Sequence, residues 1–160
     1  AMLDPTGTNI FPKRENLQKL WKKRISHEGG WFIADSSIWP ERSLGFDHLS
    51  GRMLRQDEAD WIDGVDDRIT NLFDDLLRRG LIMRPGFKYG CRWRIYDDWV
   101  EDTHAPWLLQ MVDEASGDWQ GICLCVRLAE GVSKRWVCAM DGDDNTWSFL
   151  EFRRWLPGRI

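Results

Sequence analysis

A tyrosine, a histidine and a lysine, such as Tyr96, His104 and Lys134, have types that together could move protons at a phosphate. Histidine exchanges a proton near neutrality because its ordinary pKa is about 6.5. Lysine supplies a fixed positive charge. Tyrosine ionises near about 10, so it accepts a proton at neutral pH only with positive charge close by, a part Lys134 could fill. A base, an acid and a cation are what a metal-free phosphoryl transfer in RNA needs. The 2′-hydroxyl attacks the neighbouring phosphate in line, the 5′-oxygen leaves with a proton, and the cation offsets charge on the phosphoryl oxygens. Taken singly, each residue also has an ordinary reading. Tyr96 at a strand end is a half-buried core aromatic, Lys134 a solvated loop charge, and His104 a structural histidine between the acidic stretch Asp97 to Asp102 and a strand that carries Pro106.

The elements that must position these residues follow from periodicity. After Gly80 the spacing becomes that of strands: Leu81 to Arg84, a Pro85-Gly86 turn, Phe87 to Tyr89, Arg92 to Tyr96, and Pro106 to Val112. Trp119, Ile122, Cys123, Val126 and Ala129 form a helical stripe that stops at Gly131. Two further strands, Arg135 to Met140 and Thr146 to Phe152, flank the turn Asp141 to Asn145. The order is β-β-β-α-β-β, and it predicts an α+β chain with a small mixed domain at residues 1–83 ahead of a second domain at 84–160.

In the first of these, residues 11 to 25 read as a basic amphipathic helix, with Leu17, Leu20, Trp21 and Ile25 on one face and Lys13, Arg14, Lys19, Lys22, Lys23 and Arg24 on the other. That face is either solvated or a contact for RNA or a partner. Trp31 to Ala34 reads as a short strand, residues 35 to 50 as irregular, and the stretch from Ser50 through Met53, Leu54, Ala59 and Trp61 as helical up to Gly64. A clearer helix runs from Asp66 to Arg79 on the apolar stripe Ile69, Leu72, Phe73, Leu76 and Leu77.

Composition narrows the function classes. A net charge of -4 argues against a chain that coats nucleic acid nonspecifically, and leaves a local basic patch open. No run of 18 apolar residues and no signal peptide is evident, so the expectation is a soluble cytoplasmic protein with no membrane partner. Ala1 ahead of Met2 reads as an added residue or as the start of one piece of a longer protein. Cys91, Cys123, Cys125 and Cys138 show no C-x-x-C pair and no histidine nearby, so they read as reduced thiols; no metal and no cofactor is expected. The 11 tryptophans are scattered from Trp21 to Trp155, which favours core packing and interfaces over a single base-stacking platform.

The strings LLRRGLIMRPGFKYGCRWRIY, HAPWLL and VRLAEGVSK, followed by RWVCAM, DGDD and TWSFLEF, resemble the catalytic domain of the tRNA-splicing endonucleases over roughly residues 69 to 155. That family, archaeal in type, has a helix ending in an Arg-Gly pair, a Gly-Phe-Lys-x-Gly turn and a strand ending in Tyr. A His turn, an Arg-x-Ala helix, a Lys, a strand, an acidic turn and a final strand follow. The resemblance implies Tyr96 as general base, His104 as general acid and Lys134 as transition-state cation. It also implies Arg127 as the arginine stacked on a base of the RNA bulge, with Arg153 as its partner near the last strand. Asp141, Asp143 and Asp144 match the acidic loop by which a subunit docks into its neighbour, the alternative being an Asp-rich hairpin turn. The implied substrate is precursor tRNA with a bulge-helix-bulge, cut without metal to 2′,3′-cyclic phosphate and 5′-hydroxyl ends by a homo-oligomer or a hetero-oligomer with a structural subunit. The amino-terminal half departs from the family pattern, keeping only DEADWI at residues 57 to 62. A non-catalytic structural or RNA-binding subunit is the second reading. A metal-dependent nuclease using Asp97, Asp98, Glu101 and Asp102 is the third.

Overall fold

The computed structural model describes residues 14–34, 44–48, 51–100, 102–155 and 157–158. The chain is α+β and divides into two compact units, one reaching to Ile82 and including Asp98–Thr103, the other formed by Met83–Asp97 and the chain from His104 onward. No described helix is long and apolar enough to cross a membrane.

In the first unit, helix α1 (Arg14–Trp21) buries Leu17 and Trp21, and it is tied to helix α2 (Gln56–Asp63) by two side chains. Gln18 donates to the Ile62 carbonyl (3.0 Å) and the Trp21 indole to the Asp63 carboxylate (2.9 Å). Ile25, expected at the end of the first helix, instead opens strand β1 (Ile25–His27); residues 11–13 of that expected helix lie outside the described residues. The hairpin is the cause. Glu28 and Gly29 take φ of 44° and 80°, a two-residue turn that pairs β1 with β2 (Gly30–Ala34) and leaves no room for another helical turn.

The stretch expected to be helical from Ser50 begins as strand β4 (Gly51–Leu54), paired on one side with β2 and on the other with β3 (Phe46–His48). Residues 46–48 were expected to be irregular; 35–43, 49 and 50 lie outside the described residues. Pairing overrides a weak local pattern here, and Gly51 is what admits it. A side chain at this position would meet the Phe32 ring at 2.3 Å and the Ile33 carbonyl at 2.4 Å. The sheet runs β1-β2-β4-β3, antiparallel throughout.

Helix α2 ends at Gly64 with φ 65°, and helix α3 (Asp67–Arg78) starts on Asp66, whose carboxylate accepts from the Ile69 amide (3.1 Å). Leu72, Phe73, Leu76 and Leu77 are buried as the stripe predicts, each apolar side chain contributing about 1.5–3 kcal/mol relative to exposure. Trp61 stacks on Phe73 at 4.8 Å. Glu58, 1% exposed, caps its own helix by accepting from the Arg55 amide (3.0 Å) and also accepts from the Gly45 amide just ahead of β3.

The second unit is a five-stranded sheet in the order of the chain: β5 (Ile82–Pro85), β6 (Trp93–Tyr96), β7 (Trp107–Met111), β8 (Arg135–Asp141) and β9 (Trp147–Phe152). β6 and β7 are antiparallel, β7 and β8 parallel, β8 and β9 antiparallel. Parallel neighbours need a crossover. Helix α4 (Trp119–Gly131) makes it, started by the Asp118 carboxylate on the Gly121 amide (2.7 Å) and packed through Val126 and Ala129 on Leu108, Trp136 and Cys138. Phe87–Tyr89, expected to be a strand, is a 3₁₀ turn. The Tyr89 amide donates to the Gly86 carbonyl (2.8 Å), Gly90 has φ 69°, and Phe87 is 94% exposed, so its apolar character never met a sheet face.

Replacing Glu58 by Ala strands two backbone amides and is expected to cost about 1–3 kcal/mol of stability. Thermal unfolding followed by circular dichroism tests this, and an unchanged melting temperature would show that the carboxylate does not hold the turn to the helix.

Candidate active site

Sheet register brings two of the three candidate residues, Tyr96 and Lys134, to one place, and His104 precedes the strand between them. Ile95 lies opposite Trp107, and Trp107 lies beside Arg135. One residue further, Tyr96 at the end of β6, Pro106 at the start of β7 and Lys134 ahead of β8 therefore fall at the same end of three adjacent strands. The bond from the Arg135 amide to the Pro106 carbonyl (2.9 Å) closes that end.

Lys134 is not the solvated charge its position in a loop suggested. It is 7% exposed, and its ammonium donates to the Ala105 carbonyl, next to His104. Its backbone amide also donates to the Ala129 carbonyl (2.9 Å), which draws the chain sharply off the end of α4. Ser133, with φ 57°, makes that bend. Tyr96 is 5% exposed, in keeping with the core-aromatic reading as well as with a chemical one, and His104 is exposed. This end of the chain's second unit thus combines an exposed imidazole with a sheltered phenol and a sheltered ammonium.

Tyr89 and Arg94 belong to this end and were not singled out by sequence. The Lys134 ammonium stands 5.1 Å from the Tyr89 ring centroid, and Arg94 lies 6.0 Å from the Tyr89 ring and 5.7 Å from the Tyr96 ring. Arg94 is held by a bond to the Pro85 carbonyl (2.8 Å). The available signal was the position of Tyr89 in the GFKYG turn, hidden once that turn is read as a strand.

Arg127 is exposed on the last turns of α4, which leads directly to Lys134. Arg153 follows β9, whose Phe152 lies opposite Trp136, so it returns to the same end of the sheet. Glu151 binds Arg153 and lies 3.8 Å from Arg135, and it raises the Arg153 pKa further above its already high ordinary value. Lys134, Arg94, Arg135, Arg127 and Arg153 bring five cations to one end of this unit, with Glu151 beside two of them.

Asp141, Asp143 and Asp144 are elsewhere. They are exposed at the far end of β8, about 20 Å along the strand from Lys134. Thr146 shapes this turn through its hydroxyl, which donates to the Asp143 carbonyl (2.8 Å), and Asp144 has φ 59°. Of the acidic run considered for a metal, Asp98 caps its own turn by accepting from the Trp99 amide (2.8 Å), and Glu101 lies outside the described residues. Cys91 and Cys138 make poor nucleophiles, since burial pushes both above the ordinary thiol value.

Residues 67–147 match the family described as tRNA intron endonuclease, catalytic C-terminal domain. The tRNA-splicing endonuclease of Picrophilus torridus is 31% identical over 110 residues, which cover 68% of this chain and 36% of that protein. That of Thermoplasma volcanium is 35% identical over 88 residues, 54% of this chain and 30% of the relative. That of Methanothermobacter thermautotrophicus is 31% identical over 91 residues, 52% of each. The chain thus spans about a third of the length of the first two relatives and about half of the third.

With their pKa values raised, Cys91 and Cys138 carry less thiolate at pH 8 than an ordinary cysteine, while Cys123 is exposed. Brief treatment of the folded chain with iodoacetamide should label Cys123 first, as read by peptide mass spectrometry. Earlier labelling of Cys91 or Cys138 would contradict the packing of α4 on the sheet.

Proposed function

This chain belongs to the tRNA intron endonuclease family, and we propose that it cuts intron-containing precursor tRNA at bulge-helix-bulge sites, without metal, leaving 2′,3′-cyclic phosphate and 5′-hydroxyl ends. Residues 84–160 are its catalytic domain and residues 1–83 a divergent amino-terminal one. The observation that supports this reading most is that Tyr96 and Lys134 reach the same sheet end, with His104 next to the Ala105 carbonyl that accepts from the Lys134 ammonium.

In this mechanism Tyr96 acts as the phenolate and becomes the phenol as it takes the proton of the 2′-hydroxyl, whose oxygen bonds to phosphorus, with Arg94 supplying positive charge beside the ring. His104, open to solvent and so able to meet a large substrate, gives a proton to the departing 5′-oxygen as the phosphorus-oxygen bond breaks. Lys134 offsets charge on the phosphoryl oxygens. Its ammonium keeps two further hydrogens beyond the one given to Ala105, and shelter from water strengthens each interaction it makes. Arg127 stacks on a base flipped from the bulge, with Arg153 near it, because a single-stranded bulge exposes base faces that a guanidinium binds. The exposed acids Asp141, Asp143 and Asp144 dock this chain to a second copy or to a structural subunit, building an assembly that carries the two active sites a two-bulge substrate needs. The reaction takes place in the cytoplasm.

Incubation of the purified chain with a bulge-helix-bulge RNA in EDTA, at a temperature where circular dichroism shows it folded, tests the proposal. Cyclic-phosphate ends at the bulges are expected, from the chain alone or with an added structural subunit; cleavage strictly dependent on magnesium would overturn it. His104→Ala should slow cleavage at least about a hundredfold with RNA binding intact. Arg127→Ala should weaken binding of bulged RNA more than of plain duplex, and equal losses on both would reject base stacking.

A further inference from the structure

The amino-terminal unit carries a convergence that the RNA chemistry does not use. His27 ends β1 and His48 ends β3, the two edge strands of the four-stranded sheet. The register puts Ile25, Phe32, Met53 and Phe46 in one row across the sheet, hence on one face. His27 and His48 lie two residues beyond Ile25 and Phe46, so both imidazoles share that face. The two imidazoles meet over Phe32, whose ring is 6.1 Å from His27 and 6.2 Å from His48.

There the His27 and His48 Nε2 atoms stand 3.1 Å apart, and a Glu28 carboxylate oxygen lies 3.7 Å from the His27 Nε2. One ligand atom from each of the three residues fits within 4.8 Å of the others. Two imidazole nitrogens facing each other repel through their lone pairs unless a proton or a metal ion lies between them. Two nitrogens bound tetrahedrally at about 2.0–2.1 Å are separated by about 3.3 Å, close to the spacing found. Glu28 adds a second reason. With φ 44° it occupies a turn position that ordinarily goes to Asn, Asp or Gly, and it places a longer carboxylate beside the imidazoles. The apolar rings of Phe32 and Phe46 wall one side, Phe46 lying 6.4 Å from His48.

We propose that His27, Glu28 and His48 bind one divalent transition-metal ion of the zinc class, with water as the fourth ligand, and that the ion clamps the β1–β2 hairpin to the β3–β4 hairpin. Two imidazoles and one carboxylate suit Zn²⁺ and disfavour Mg²⁺, which takes oxygen ligands. Sequence spacing could not show the site, since His27 and His48 are 21 residues apart and no Cys accompanies them.

The test uses the full chain, stripped with chelator and titrated with Zn²⁺ by calorimetry, with Mg²⁺ as control. One zinc per chain is expected, with a higher melting temperature and no response to Mg²⁺. His27→Gln with His48→Gln should weaken zinc binding at least about tenfold and abolish the thermal shift. Co²⁺ bound to the unaltered chain reads the ligands directly, so a misfolded variant does not blur the answer. Visible d–d bands without a thiolate charge-transfer band are expected. Absence of stoichiometric zinc binding, a thiolate band, or undiminished binding in the double variant would each overturn the site.

Discussion

The parallel pairing of β7 with β8 is the constraint on which the second unit depends. A parallel neighbour cannot be reached by a turn, so the chain must leave the sheet and return, and α4 fills that crossover. Because β8 then starts beside the start of β7, Lys134 arrives next to Ala105 and its ammonium finds the carbonyl there. The antiparallel β6 contributes its far end to the same place, which is how Tyr96 joins them. An antiparallel β8 would have brought the acidic turn to this end in place of the lysine.

A buried ammonium is costly unless its hydrogens are engaged. Here one is given to Ala105, and the Tyr89 ring faces the charge. The apolar layer under α4, with Leu108, Val126, Ala129, Trp136 and Cys138, fixes the helix on the sheet and so fixes where the lysine emerges. Packing several residues away thereby determines the position of a charge.

The carboxy-terminal unit was largely legible because β7, β8 and β9 run five to seven residues, are rich in apolar side chains and are set off by strong turn residues. Its one misread element, Phe87–Tyr89, has strand-like residues but is closed on itself by Gly86 and Gly90. The amino-terminal unit was much less legible. β3 and β4 have three and four residues, too few for a period to emerge, and they exist because each has a partner. At the candidate site the residue types and their order along the chain were readable. The shelter of Lys134 was not, since the carbonyl responsible lies 29 residues away. Tyr89 and Arg94 were missed for the same reason, their importance being a matter of what stands across from them.

The contrast between a sheltered Lys134 and exposed Arg127 and Arg153 bears on how this molecule responds to its ionic surroundings. Dissolved ions screen charges that stand in water within about 8 Å at physiological strength and reach buried ones far less. Added salt therefore erodes the pull of the two arginines on an anion while leaving the field at the lysine nearly as it was. On the proposed reading, grip and chemistry differ in their sensitivity to salt: a higher ionic strength would weaken capture of a polyanion well before it altered the field at the lysine.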